Sequence, residues 1–145
     1  MNTNTLPNLL DTLKSDGGFT YVPDTDVLNP ASGYAIAVPG TERIIGNNLI
    51  TREAFAQAFA SVVTDLWQYA KPNETFGDFS VETAVGGWYS EDRGVYMIEL
   101  TEVWHGMTRA QAVAVGATRD QEAIYDLSTG EEIKTGGRGD ADPEG

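Results

Sequence analysis

Gly86-Gly87-Trp88-Tyr89, the turn Ser90-Glu91-Asp92-Arg93-Gly94 and Val95-Tyr96-Met97-Ile98-Glu99-Leu100 spell two strands joined by a tight polar turn. The hairpin arms are expected over 81–89 and 95–104. On the second arm, Tyr96, Ile98 and Leu100 alternate toward a core. Val95, Met97, Glu99, Thr101 and Val103 point the other way, onto a face that is only partly apolar and is expected to be exposed. Directly downstream, Thr108-Arg109-Ala110-Gln111 opens a helix that should end near Gly116 or Arg119. Ala123 to Leu127 then reads as a strand, followed by a Ser128-Thr129-Gly130 turn and Glu131-Glu132-Ile133.

Upstream, the clearest helix begins after Thr51 and runs to about Ala70, where Pro72 forbids continuation. Phe55, Phe59, Val62, Leu66 and Tyr69 form one apolar stripe, and Ala56, Ala60, Val63 and Trp67 an adjacent one. Glu53, Gln57, Ser61, Thr64 and Gln68 line the far side. A face this wide suits a helix lying across a sheet. Leu6, Leu9, Leu10 and Leu13 predict a short N-terminal helix stopped by Gly17-Gly18. Strands are expected at 18–22 and 33–38 and should pair antiparallel with each other, with a Pro-, Asp- and Asn-rich loop between them. Arg43-Ile44-Ile45 suits either an edge strand or a linker. This order predicts an α+β domain: a mostly antiparallel sheet with one long and two short helices packed mainly on one face, spanning residues 1–135. Residues 136–145 read as a disordered Gly-rich tail.

The chain has 145 residues, enough for one domain that buries roughly two thirds of its unfolded surface. Twenty-two Asp and Glu against nine Lys and Arg leave a net charge of −13, a field that repels phosphate backbones and favours basic partners. Direct nucleic-acid binding is therefore not expected. Cysteine is absent, which removes disulfides, thiolate catalysis and cysteine metal sites and suits a reducing compartment. Neither a basic leader nor an apolar run of about 18 residues is present, so the expected location is a cytoplasm, away from membranes.

Residue patterns for catalysis are sparse. His105 is the one histidine, and no Gly-x-Ser-x-Gly elbow supplies a nucleophile for it. Asp24, Asp26 and Asn29 share a loop that lacks the calcium-loop spacing. Glycine-rich segments at Gly86-Gly87 and 136–139 lack the strand-to-helix setting of a phosphate loop. No catalytic residue, metal or cofactor is expected.

The run Gly87-Trp88-Tyr89, Gly94-Val95-Tyr96, Thr108-Arg109-Ala110-Gln111-Ala112, Asp120-Gln121-Glu122-Ala123-Ile124-Tyr125-Asp126-Leu127 and Gly130-Glu131-Glu132-Ile133 resembles small accessory proteins carried by phages and plasmids. The strand Gly33-Tyr34-Ala35-Ile36-Ala37-Val38 is similar as well. The resemblance implies a mobile-element protein acting inside a host cell on host proteins. The expected function is thus a non-enzymatic protein of anti-defence or nucleic-acid-mimic type that binds and inhibits a host protein with a basic surface. The expected contacts are Glu91, Asp92, Glu99, Glu102, Glu131 and Glu132, with Trp67 and Trp88 as apolar anchors. Two alternatives stand beside it. A virion or assembly protein would form homo-oligomers through an exposed strand edge and an apolar patch at Val95, Met97 and Val103. A small carboxylate-dependent hydrolase would need a deep pocket with two acids of opposed protonation.

Overall fold

The computed structural model describes residues 5–69, 74–76 and 79–136, with side chains described over the same ranges except at 69 and 74–76. The chain runs α1 (Thr5–Asp16), β1 (Gly18–Val22), β2 (Val27–Leu28), β3 (Tyr34–Ala37), β4 (Arg43–Gly46), a 3-10 turn (Asn47–Leu49) and α2 (Arg52–Tyr69). It continues through β5 (Glu74–Phe76), β6 (Phe79–Ser90), β7 (Val95–His105), α3 (Arg109–Thr118), β8 (Ala123–Asp126) and β9 (Glu131–Lys134). The expected α+β class is what forms, and every strand pairing is antiparallel. Among the described residues no helix is long and apolar enough to cross a membrane. Of the tail expected over 136–145, all but Gly136 lies outside the described residues.

The β6–β7 hairpin is the spine. Its register runs unbroken from Ser80↔His105 to Ser90↔Val95, and the Gly94 amide closes the turn on the Ser90 carbonyl at 2.8 Å, with Gly94 at a φ of 66° that a side chain would resist. Four short strands dock on this spine. β1 and β5 share the outer edge of β6, along 85–88 and 79–81, while β4 and β3 share the outer edge of β7, along 95–98 and 101–104. The expected pairing of the 18–22 strand with the 33–38 strand is therefore corrected: the two lie on opposite sides of the hairpin. Both seek a partner edge, and the two long strands offer more of it than either short one. β8 and β9 extend the sheet beyond β3, and the 43–46 segment is a strand, not a linker.

All three helices cover one face. Leu9, Leu10 and Leu13 of α1 and Phe55, Ala58, Phe59, Val62 and Leu66 of α2 pack on Phe19, Tyr21, Val38, Val85, Ile98 and Leu100. Phe55 meets Phe19 edge-on at 6.1 Å, an arrangement favoured by the aromatic quadrupole, and meets Phe59 in a tilted pair at 6.0 Å. The second α2 stripe is only partly buried. Ala60 and Trp67 are exposed, Trp67 by 64%, and Ala58 takes the buried place beside Phe55. α3 closes a smaller cluster of Ile36, Ala112 and Ile124, started by a capping box in which Thr108 and Gln111 bond each other's backbone amides.

Candidate functional site

The opposite face of the sheet carries no helix among the described residues, and its composition explains its shape. Register aligns Gly18, Trp88, Met97 and Ile44 in one row, Thr20, Gly86 and Glu99 in the next, and Ala84, Thr101 and Ala37 in a third. Apart from Glu99 the inner rows are built from small side chains, and among the described residues no second layer fills the concavity. What remains is a cleft of about 430 Å³. Its rim is formed by Asn29-Pro30-Ala31 on one side and by residues 121–125 with Glu132 on the other. Asn29 is fixed there because its Oδ1 accepts from the Thr20 amide at 2.8 Å and its own amide donates to the Thr20 carbonyl at 2.6 Å.

Gly86 and Gly87 serve the two faces separately. A Cβ on Gly86 would overlap the Thr101 hydroxyl in the cleft floor, and a Cβ on Gly87 would overlap the Phe19 ring in the core. The pair therefore belongs to packing, in agreement with its position inside a strand.

Glu99 sits in the floor, 8% exposed, and its Oε1 accepts from the Trp88 indole Nε1 at 3.1 Å. That bond fixes a half-buried aromatic ring beside a carboxylate. Glu42 lines the same cleft and immediately precedes Arg43, which faces Ile98, so the register carries the two carboxylates toward one corner. Asp16, Glu122 and Glu132 line it too; among the described lining residues the cation is Arg93 from the hairpin turn, and Lys134 pairs with Glu122 at 3.5 Å and Glu132 at 3.1 Å. No group of three or more His, Asp or Glu side chains placed to hold a metal ion occurs among the described residues. Asp26 and Asn29 of the early loop are engaged otherwise: Asp26 accepts from the Tyr21 hydroxyl, which burial above all, and then this bond, push up to about 12.

The eight expected contact residues separate. Glu99, Glu132 and Trp88 line the cleft, and Glu91 and Asp92 are exposed in the turn beside Arg93. Glu131 is bound to Arg109 on the helical side. Trp67 stands exposed on α2, away from the cleft.

Two of these expectations are corrected as surface contacts. Glu102 is 6% exposed on the helical face, ion-paired with Arg119 at 2.6 Å and accepting from Trp104 Nε1 at 3.1 Å. Three residues of strand put it on the face opposite Glu99, where α3 ends on it. Glu99 is correctly off the Tyr96/Ile98/Leu100 face, but it is a floor residue and not part of an open acidic surface. Met97 and Val103, expected to be exposed, are 3% and 0% exposed. Val103 packs with Val22, Ala84 and Leu127, and its Cγ1 fills the space over Gly33, while Met97 lies in the sheet row between Trp88 and Ile44. His105 pairs with Glu82 at 3.1 Å near this end.

What reading by residue missed is the cleft itself. Its signal is a period-two run of small residues, Gly18-x-Thr20, Ala35-x-Ala37 and Ala84-x-Gly86, each of which leaves its strand without a side-chain layer on one face. No protein-family model, no curated protein and no solved structure matches this chain.

Proposed function

We propose that this is a non-enzymatic binding protein that docks on a basic surface of a host protein and occludes it, with the helix-free concave face as its recognition surface. One observation carries the reading: among the described residues, five carboxylates line the cleft against one guanidinium, with the Lys134 ammonium paired to two of the five, Glu122 and Glu132. A low-dielectric concavity with a net excess of one sign focuses its field and attracts opposite charge. The resemblance to accessory proteins of phages and plasmids supports a setting inside a host cell, where enzymes and defence complexes that handle nucleic acid present such Lys/Arg surfaces. Carboxylates on a rigid sheet then stand where phosphates would. Relative to the expectation from sequence, the contact set moves: Glu42, Asp16 and Glu122 join Glu99, Glu132 and Trp88, while Glu102, Glu131 and Trp67 leave it.

The test is capture from bacterial lysate at low salt and at about 0.5 M salt, where the Debye length shrinks below about 5 Å. Three proteins are compared: the wild type, Glu122→Lys/Glu132→Lys on the cleft rim, and Asp11→Lys/Glu53→Lys on exposed helix positions. Both pairs change net charge equally. The reading expects a basic partner retained by the wild type and the helical pair and lost by the rim pair. Equal retention by all three, or no captured protein, would overturn it.

A further inference from the structure

We infer that β9 is the contact strand of a homodimer: two copies of the chain join their sheets antiparallel along this edge, with Ile133 facing the second copy's Ile133. The inference does not depend on the docking face. β9 ends the sheet path β2-β1-β6-β7-β3-β8-β9, so among the described residues no strand pairs with its far side. Its ladder to β8 decides which backbone groups point there. The Thr135 amide donates to the Glu122 carbonyl at 3.1 Å, and hydrogen-bonded and non-hydrogen-bonded positions alternate along an antiparallel ladder. Residues 131, 133 and 135 therefore turn their amides and carbonyls toward β8, and Glu132 and Lys134 turn theirs outward.

An unpaired edge invites another strand, and charged side chains on it turn most strands away. Which strand is accepted follows from Glu131-Glu132-Ile133-Lys134. In a two-fold antiparallel pair one residue faces its own copy, because facing side chains lie on the same side of the sheet. An axis at Glu131, Glu132 or Lys134 sets like charges directly opposite each other, which is destabilising. An axis at Ile133 sets apolar against apolar, with Glu132 opposite the second copy's Lys134 on one flank and Lys134 opposite the second copy's Glu132 on the other. The same register brings the outward-facing residues together, so each flank closes with a reciprocal pair of N–H to C=O bonds. Backbone and side chains thus select one register.

The side chains are placed to comply. Lys134 and Glu132 are 67% and 56% exposed, and their contact within one strand is a surface pair of small value that the dimer exchanges for a cross-strand one. Ile133 lies on the helical face, packed on the Ile36, Ala112 and Ile124 cluster, which a second Ile133 extends across the joint. Arg109 holds Glu131, so this edge is also a place where the negative charge of the chain is offset locally. A four-residue strand makes a small interface, and the association belongs to the weak class.

The experiment is sedimentation equilibrium of the full chain up to about 1 mM, where a weak association still registers, in about 0.15 M salt, where the Debye length of about 8 Å screens the long-range repulsion between copies. Four proteins are compared: the wild type, Lys134→Glu, Glu132→Lys/Lys134→Glu, and Lys14→Glu at an exposed position of α1. The two single variants change net charge equally. The double variant keeps the wild-type charge and restores opposite charges across the joint. The expected result is a monomer–dimer equilibrium for the wild type, unchanged in Lys14→Glu, weakened by about tenfold or more in Lys134→Glu because both flanking pairs become like-charged, and recovered in the double variant. A second measurement reads the register. The chain has no cysteine, so Ile133→Cys carries one thiol, facing its own copy at about 4.5 Å between Cα atoms, within disulfide reach. Mild oxidation should link it into a dimer and leave Val27→Cys, on the opposite edge of the sheet, unlinked. A wild type that stays monomeric, equal effects of Lys134→Glu and Lys14→Glu, a double variant no better than Lys134→Glu, or equal linking of Val27→Cys would overturn the inference. Should Ile133→Cys fail to fold, the sedimentation series decides alone.

Discussion

Glu99 and Glu102 have the same side chain and sit on one strand, yet they face different consequences of substitution. Glu102 is closed in beneath α3 and holds Arg119 at 2.6 Å, so Glu102→Lys places two cations together out of water and should cost about 3–5 kcal/mol, the range for breaking a buried pair. Urea denaturation measures it, and a loss under about 1 kcal/mol would show the pair to be effectively solvated. Gly86 makes a second residue-scale case. Its substitution by Ala drives a methyl into the Thr101 hydroxyl, an overpacking that costs about 1–3 kcal/mol. In Gly86→Ala/Thr101→Ala the obstacle is gone, and the double variant should be more stable than Gly86→Ala alone; additive losses would place the strain elsewhere. Tyr21 carries a pH dependence. Its hydroxyl is raised from an ordinary value near 10 to about 12 by burial and by Asp26, so the folded state favours the protonated form. The stabilisation is complete below about pH 10 and is lost as pH rises toward 12. The stability gap between wild type and Tyr21→Phe should therefore narrow over that interval in urea titrations, and a constant gap would detach the shift from folding.

At the scale of elements, α2 gives the sharpest contrast between neighbours. Phe59 is 2% exposed between Phe55 and Tyr21, and Gln57 points to water. Phe59→Ala should cost about 3–5 kcal/mol and Gln57→Ala close to nothing, read as shifts in urea midpoint at constant slope. If both were mild, the helix would be held by something other than its aromatic stripe. This face was legible in the sequence because the i, i+4, i+7 pattern of Phe55, Phe59 and Val62 needs no knowledge of the partner. The β6–β7 hairpin and α3 were legible for the same local reason, through a tight turn and a Thr108 start. Strand pairing was not, since β1 and β3 are each too short to specify an edge and are sorted by competition for β6 and β7. The cleft escaped for a related reason. Alternation assigned Glu99 to the right face but could not tell whether that face was open, because its neighbours there, Gly86 and Thr20, are set by pairings far apart in sequence.

Across the whole molecule the dominant quantity is charge. With −13 spread over 145 residues, mutual repulsion among carboxylates opposes compaction, and it is longer in range than the ion pairs that offset it. Most of those pairs are surface contacts: Arg43–Asp65, Lys134–Glu132 and Arg109–Glu131 each leave about a third or more of at least one partner exposed, and such pairs contribute about 0–1 kcal/mol. Glu102–Arg119 is the sheltered one and is little affected by salt. Screening should therefore remove more repulsion than attraction. The melting temperature is expected to rise as sodium chloride increases from about 10 mM to about 0.2 M, where the Debye length contracts from about 30 Å to under 8 Å, and then to level off. The same salt should weaken docking on a basic partner, so fold and function respond to screening with opposite sign. Differential scanning calorimetry at constant pH checks the first half. A falling melting temperature would mean that the ion pairs outweigh the net field, and the acidity would then be a stabilising pattern rather than a charge held in reserve for a cationic partner.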